Sequence, residues 1–382
     1  MRQESKNENP IFRKMKFQKK YILLIAIAIL CLVVYSSSLI SPETSWFASL
    51  LAFAIPLVFV FQCITGLVLF IYKTPIWTRL FWLVCMLPFL YFLPHMIGFS
   101  KQKEVNEDFF TVANYNVGHF NNRKSTKSVK EMDASDDVNA NLEFILQLKN
   151  LTANVVCFQE FYQCEQSNYY NVGKILKEKY PYQMFAVDTI TNNGSVQGLA
   201  IFSQFPIKQT GNIFESKNHF NRGSFADIAI GDHMIRVINV HLQSNQIKHF
   251  NPIHDHTVTK AEKDALTVFY HLKNNLLLRA NQAEQVLDFA KSSPYPAIVA
   301  GDFNETSYGY IYNNFRHQMN NAFAKSGNGF GITYQGKTLS FLRIDQQFYN
   351  DQLNCESFSV EKDFLHSDHL PIQGVYSLNI IE

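Results

Sequence analysis

Three uncharged apolar runs, at residues 21–40, 47–72 and 80–99, fill most of the first hundred positions of this 382-residue chain. Each comes close to the roughly 20 residues that a helix needs to cross a hydrocarbon core. Three in succession read as a membrane region of residues 1–100, with transmembrane helices at about 21–40, 47–72 and 79–99. The first run is longer than a signal-peptide core and lacks a small-residue cleavage pattern. Basic residues near the spans set the expected orientation. Arg2, Lys6, Arg13, Lys14, Lys16, Lys19 and Lys20 precede the first run, the loop at 41–46 carries only Glu43, and Lys73 and Arg79 lie between the second and third runs. A cytoplasmic N-terminus is therefore expected. Everything after about Ser100 would lie outside the cytoplasm, on the periplasmic side of the inner membrane in a Gram-negative cell. Trp46 and Trp77 read as interface anchors.

Beyond a polar linker at 101–108, residues 109–382 have the composition of a globular domain. Residues 1–100 hold nine Lys/Arg against three Asp/Glu, whereas the whole chain has a net charge of +2, so the second part is acidic, at −4. A domain that grips nucleic acid by its backbone more often carries a basic surface, and this balance disfavours DNA or RNA without excluding them. Cys157 sits in an apolar strand as a small core residue. Cys164 and Cys355 are free to pair, but nothing in their spacing requires it, and the chain has no Cys-x-x-Cys.

In chain order, 109–117 reads as a strand with a polar end and 121–139 as an irregular, mobile loop. Residues 155–158 form a buried strand that runs into Gln159-Glu160. A helix is expected over 169–180, stopped by Pro181, and strands over 198–203, 224–230 and 236–242. An insertion at 243–275 carries His249, His254, His256 and His271. These read as solvated loop histidines in preference to a second metal site. An amphipathic helix follows at 276–291. Next comes Ala-Ile-Val-Ala-Gly-Asp-Phe-Asn-Glu-Thr at 297–306. Its four small or apolar residues read as a buried strand, and Gly301 lets the chain turn. Alternate residues on extended chain share a side, so Asp302 and Asn304 would face one spot. The same ten residues also read as a strand followed by an idle Asx turn. Residues 327–331 form a plain Gly-rich loop, 341–349 a strand, and 374–380 the last strand. Strand–helix alternation with many strand–strand steps implies α+β, with helices covering stacked sheets.

What breaks the tie at Asp302 is the company it keeps. Five strands end in a polar residue (Asn116, Glu160, His241, Asp302 with Asn304, and Asp345), while Asp368 and His369 precede another strand. Acids, amides and imidazoles gathered on one rim suit a hard dication with few carboxylate ligands, plus donors for phosphoryl oxygens. Arg222 is a weaker candidate for substrate phosphate, with an ordinary surface arginine as the competing reading.

These pieces, in order, are Tyr115-Asn116-Val117, Gln159-Glu160, Asn239-Val240-His241-Leu242, Gly301-Asp302-Phe303-Asn304, Arg343-Ile344-Asp345 and Ser367-Asp368-His369-Leu370-Pro371. Together they resemble the endonuclease/exonuclease/phosphatase superfamily. The resemblance covers the second part of the chain only. It implies a DNase I-like, four-layer α/β sandwich of two mixed β-sheets flanked by helices, and Mg²⁺- or Mn²⁺-dependent hydrolysis of a phosphodiester or phosphomonoester. Carried over residue by residue, Glu160 looks like the main metal ligand, with Asn116 its partner and Asp368 a further ligand. Asp302 looks like the group that orients or deprotonates water, and Asn304 like the one that holds it or the phosphate. His241 and His369 would donate to phosphoryl oxygens, the second oriented by Asp345. The pattern departs from the family at Gln346, at Asn321-Ala322-Phe323 and at Glu305-Thr306-Ser307, where substrate contacts are affected rather than catalytic groups. The expected substrate is a lipid headgroup, a phosphorylated metabolite or nucleic acid. The membrane is the expected surroundings, and no protein partner is expected. The rival readings are a nuclease acting on extracytoplasmic DNA or RNA, and a catalytically silent binding module on a tether.

Overall fold

The computed structural model describes residues 10–100, 109–121, 128–215, 221–245, 258–336 and 341–379. The chain divides into two compact units, Met1–Leu93 and Pro94–Glu382.

In the first unit, helix α1 spans Pro10–Ser36 and runs into a 3₁₀ turn, Ser37–Leu39, and the apolar stretch Tyr21–Leu39 across the two is long enough to cross a membrane. The other two expected spans are not straight helices. The second is a pair, α2 (Pro42–Ala52) and α3 (Ile55–Ile71), bent by 47°. The third is α4 (Ile76–Met86) followed by a 3₁₀ turn, Leu87–Tyr91. Prolines account for both breaks, since proline lacks an N–H and clashes with the preceding turn. Pro56 lies in the first turn of α3, and Pro88 and Pro94 interrupt 80–99. Among the described residues, one helix passes as a span by length and composition, or two if the bent pair counts as one.

The second unit holds two six-stranded sheets. Their strands are β1 (Phe110–Asn116), β2 (Val155–Gln163), β3 (Tyr182–Ile190), β4 (Val196–Ser203), β5 (Ile207–Glu215), β6 (Arg222–Ile230), β7 (His233–His241), β8 (Ala297–Asp302), β9 (Asn320–Asn321), β10 (Asp345–Tyr349), β11 (Leu353–Val360) and β12 (Ile372–Leu378). One sheet has the order β11-β12-β1-β2-β4-β3, the other β9-β10-β8-β7-β6-β5. In each the central pair, β1–β2 or β7–β8, is parallel and the other pairs are antiparallel, so both sheets are mixed.

Side-chain alternation sorts each strand onto two faces. Tyr115, Phe158 and Phe202 pack with Phe144 and Ile145 of helix α5 (Val138–Gln147) on the outer side of the first sheet. Ile238, Val240 and Val299 pack with Val286 and Leu287 of helix α6 (Val258–Lys291) outside the second. Between the sheets lie Val112, Val155, Ile201, Val237, Ile298 and Ala300. The result is helix, sheet, sheet, helix.

The face between the sheets changes character along the strands. At one end it is aliphatic. One step further it is a layer of buried amides: Gln159 Nε2 donates to Asn239 Oδ1 at 2.6 Å, Asn239 Nδ2 donates to the carbonyls of Phe158 and Ala200, and Gln347 Nε2 donates to Asn114 Oδ1 and the Val112 carbonyl. Two steps beyond Asn114, Asn239 and Gln347 come Asn116, His241 and Asp345, at the rim. The helix expected at 169–180 shrinks to Val172–Ile175, with Tyr170 and Tyr180 in the core as aromatic plugs. The supposed loop contains a short helix at Val129–Asp133, started by a capping box in which Ser128 and Glu131 bond each other's backbone N–H. Cys164 and Cys355 are both free and belong to different cores, one outside the first sheet and one between the sheets. Of the insertion histidines, His249, His254 and His256 lie outside the described residues, and His271 is exposed on α6.

Replacing Asn239 by Leu would leave two carbonyls and the Gln159 amide without their partner. Each stranded buried group costs about 1–3 kcal/mol. A loss of at least about 2 kcal/mol in denaturant unfolding is expected for Asn239→Leu. A change near zero would show that the amide layer is not what ties the sheets together.

Candidate active site

The carboxyl ends of both central parallel pairs point to one rim, and their antiparallel neighbours begin there. In the second sheet a single row of register partners runs Arg222, His241, Asp302, Asp345, from β6 through β7 and β8 to β10. In the first sheet, Asn116 pairs with Gln159, directly before Glu160. Residue 369 lies just before β12, whose Ile372 pairs with Asn114. Seven of the nine candidates thus come to one place, Asn116, Arg222, His241, Asp302, Asp345 and His369 from strand ends or just before one, and Glu160 from a bulge within β2.

Asp302 is the hub. Its Oδ1 accepts the Asn304 backbone N–H at 2.8 Å, and its Oδ2 accepts Asn116 Nδ2 at 3.0 Å, across the gap between the sheets. The Nε2 atoms of His241 and His369 each stand 3.7 Å from that same Oδ2. That is too long for a hydrogen bond, so two imidazole edges and a carboxylate oxygen surround a spot without closing it. Gly301 makes this possible. Its φ of +147° suits glycine, and a Cβ there would fall 2.0 Å from the Val240 carbonyl oxygen of the adjacent strand.

Asp345 Oδ2 holds His369 Nδ1 at 2.9 Å. Burial disfavours the charged ring, but Asp345, Asp302 and Asp368 together outweigh it and raise the His369 pKa to about 10. Burial pushes the Asp345 carboxyl up, against the opposing pull of His369. Both shifts describe one proton held firmly between the two. A ring with its pKa raised above the ordinary 6.5 stabilises the fold fully below that value and ceases to do so as pH rises through about 10. Asp302, Asp345 and His369 offer three potential ligand atoms within 4.8 Å of one another. The imidazole, however, already spans the two acids as their counter-cation.

Glu160 stands apart from that triad. It lies at a bulge of β2, between Phe158 and Phe161, with a φ of +47°. Bulges of this kind re-aim side chains, and this one turns the carboxylate toward His119, whose Nδ1 is 3.0 Å from Glu160 Oε2. His119 sits in an unusual turn, Gly118–Asn121, in which all four residues have positive φ. Left-handed backbone costs a non-glycine residue about 1–2 kcal/mol. Here Asn116 Oδ1 accepts the Gly118 N–H, and the buried Phe120 wedges between Phe144 and Phe161.

The remaining candidates play supporting parts. Asn304, at φ +49°, spends one side-chain N–H on the Leu242 carbonyl. Arg222 is buried, not a surface residue, and its Nε donates to Asp188 at 2.6 Å. Asp368 is half-buried, and its backbone carbonyl takes the Gln335 N–H. Three supports escaped the sequence reading. Arg279 of α6 is fully buried beneath the Asp302–Glu305 turn, contacts the Asn304 carbonyl and pairs with Glu305 at 3.4 Å. Thr333 Oγ1 accepts the N–H groups of Ile344 and Asp345. His119 is the third. Arg279 was visible only as one polar position on an amphipathic helix, and His119 carried no signal beyond its closeness to Asn116.

The family model "Endonuclease/Exonuclease/phosphatase family" matches residues 113–369, from β1 to His369. The chain belongs to this family. Its members are phosphoesterases and nucleases that use divalent metals. No curated protein matches the sequence. Among solved structures, the chain is similar to an endonuclease/exonuclease/phosphatase from Beutenbergia cavernae (15% identity, TM-score 0.47, covering 71% of this chain and 72% of that one). It is also similar to a humanised D. rerio TDP2 (14%, 0.48, 71% and 100%) and to the human Nocturnin catalytic domain with bound sulfate (15%, 0.46, 74% and 97%). Family membership follows from the match over residues 113–369.

Asp345→Asn removes the counter-charge that holds the proton on His369. The ring's titration, followed by histidine NMR, is expected to move from about 10 toward the neutral range. Titration still near its original pH would show that Asp345 is not its main partner.

Proposed function

We propose that this protein hydrolyses a phosphate ester at a membrane surface by metal-assisted, in-line attack of water. The observation that carries this reading is the Asp302 carboxylate, fixed by Asn116 and Asn304 and faced by two imidazole edges at 3.7 Å. Asp302 orients water and takes its proton as the water oxygen bonds to phosphorus. The ester P–O bond opposite then breaks, and the leaving oxygen departs. His369, kept cationic by Asp345, and His241 donate to the phosphoryl oxygens as charge builds there. The residues suit a hard dication: Glu160 supplies a carboxylate at the rim, with Asn116 and Asp368 named as its helpers. Mg²⁺ or Mn²⁺, when bound, neutralises the phosphate's charge. His369 is already a local cation, which supports placing the metal at Glu160 instead of within the Asp302 triad.

The substrate class we favour is a lipid headgroup or a phosphorylated metabolite. The acidic second unit supports this over nucleic acid. Support for a membrane location comes from the first unit, whose apolar side chains face outward. Leu57 is 71% exposed, Phe70 65% and Ile22 65%. Its polar Gln62 is buried, its Oε1 accepting a hydrogen bond from the Tyr35 hydroxyl and its Nε2 donating to the Cys85 carbonyl. Apolar outside and polar inside is the arrangement a lipid solvent favours. We propose a membrane anchor that crosses an odd number of times, with a cytoplasmic N-terminus and the catalytic unit outside the cytoplasm. The basic residues before 21–40 support that orientation.

The full chain in detergent should hydrolyse at least one member of a panel of phosphodiesters, phosphomonoesters, lipid headgroups and oligonucleotides. It should do so only with Mg²⁺ or Mn²⁺ present. Folded protein inert toward every class would sink the enzymatic reading, and activity on oligonucleotides alone would favour the nuclease. Asp302→Asn is expected to lower kcat by at least about a hundredfold. Near-normal turnover would mean that the wrong rim has been chosen. A reporter fused after Glu382 should be active only outside the cytoplasm, and a cytoplasmic signal would reverse the orientation.

A further inference from the structure

We propose that His119 is a nitrogen ligand of the same cation that Glu160 holds, and that this makes the site prefer Mn²⁺ over Mg²⁺. The inference rests on the reading that Glu160 is the metal carboxylate. The carboxylate–amide pattern in the sequence assigns oxygen ligands only.

The geometry points this way at three levels. Nδ1 of His119 and Oε2 of Glu160 are 3.0 Å apart. At that distance a hydrogen bond would be expected, yet Nδ1, on a residue only 8% exposed, has no hydrogen-bond partner in acceptable geometry among the described residues. The two atoms are close without pointing at each other. Two ligands of one ion stand this close without bonding to each other, because each bonds to the ion instead. The distance fits as well. A six-coordinate dication with ligands at about 2.1 Å places neighbouring ligand atoms roughly 3.0 Å apart.

The backbone explains why the pair is held there. Glu160 sits on a bulge with φ +47° and His119 in a turn with φ +58°. Both conformations are rare for side-chain-bearing residues, and they tend to be kept where function needs them. The bulge and the turn bring the two side chains to within 3.0 Å of each other. Asn116 anchors the turn by accepting the Gly118 N–H, and it also bonds Asp302. The proposed metal ligand and the water-orienting carboxylate are thereby tied to one amide.

The chemistry of the donor set gives the selectivity. Mg²⁺ takes oxygen ligands and keeps its waters, whereas Mn²⁺, although at the weak end of the first-row order, is the softer of the two ions and accepts an imidazole nitrogen more readily. Replacing one oxygen position with Nδ1 therefore costs Mg²⁺ more than Mn²⁺.

The test uses the full chain in detergent, stripped of metal and titrated with Mn²⁺, with His119→Asn and Glu160→Gln alongside. Asparagine tolerates positive φ, so the turn should survive the first change. Pulsed electron paramagnetic resonance of bound Mn²⁺ is expected to show one directly coordinated nitrogen in the parent, lost in His119→Asn. The preference for Mn²⁺ over Mg²⁺, from competitive binding, should fall at least about tenfold in the same variant. Suppose Glu160→Gln weakens Mn²⁺ binding, but the parent shows no bound nitrogen, or the nitrogen and the preference both persist in His119→Asn. His119 is then only an ion-pair partner of Glu160, and this inference fails while the metal reading stands. If Glu160→Gln leaves Mn²⁺ affinity unchanged, the metal lies elsewhere and both fail.

Discussion

A 3.0 Å hydrogen bond from Asn116 to Asp302 crosses from one sheet to the other at the rim, and the site is assembled around it. Sheets of a sandwich ordinarily meet through apolar side chains alone. Here the apolar contact covers only part of the interface. Above it the amides of Asn114, Gln159, Asn239 and Gln347 carry the contact, and above them the charged groups. Buried amides are costly unless paired. Their pairing demands one relative position of the two sheets, whereas aliphatic packing tolerates small slides. The amide layer therefore transmits register from one sheet to the other, just beneath the groups that need it.

Charge is arranged around the same hub. Three carboxylates, Asp302, Asp345 and Asp368, act on one buried imidazole, and their sum outweighs the cost of burying its charge. The His369 cation in turn makes two closely spaced acids tolerable. Glu160 lies outside this balance and faces a different imidazole. Besides His241, which faces Asp302 at 3.7 Å, the rim thus holds two closer imidazole–carboxylate units of different kinds. In one the ring is firmly hydrogen-bonded and charged. In the other the two groups are close but misaligned. His119 Nδ1 has no hydrogen-bond partner among the described residues. Arg279 and Glu305 add a buried pair under the Asp302 turn, in which burial pushes the arginine down and the glutamate up while each partly restores the other.

The contrast between the two units has a physical source. In the second, strand patterning works in water, with apolar side chains hidden and polar ones at the rim or surface. In the first, large apolar side chains face outward and Gln62 is hidden. The first expected span is one long helix, whereas the second is bent and the third shortened where proline interrupts them, at Pro56, Pro88 and Pro94. A count of apolar residues is blind to that, because hydropathy measures transfer and not backbone continuity.

The sequence by itself determined the strand ends and their chemistry. A run of small and apolar residues before Gly301 located β8, and acids or amides at strand termini named Asn116, Asp302 and Asp345 without any contact being known, whereas the strand expected to stop before Glu160 runs on to Gln163 with Glu160 at a bulge. It also determined the family, because short local patterns keep their order along the chain. Only the tertiary structure decided which groups meet. His119 and Glu160 are forty-one positions apart, and their 3.0 Å approach needs a bulge on one strand and a left-handed turn after another. Neither is written as periodicity. Arg222 and Asn304 likewise read as open-handed polar residues, and the fold engages both, with Asp188 and with the Leu242 carbonyl. Local sequence sets where a side chain can emerge, because backbone preference acts over a few residues. Long-range packing sets what it meets, because the partners arrive from strands that the chain visits far apart.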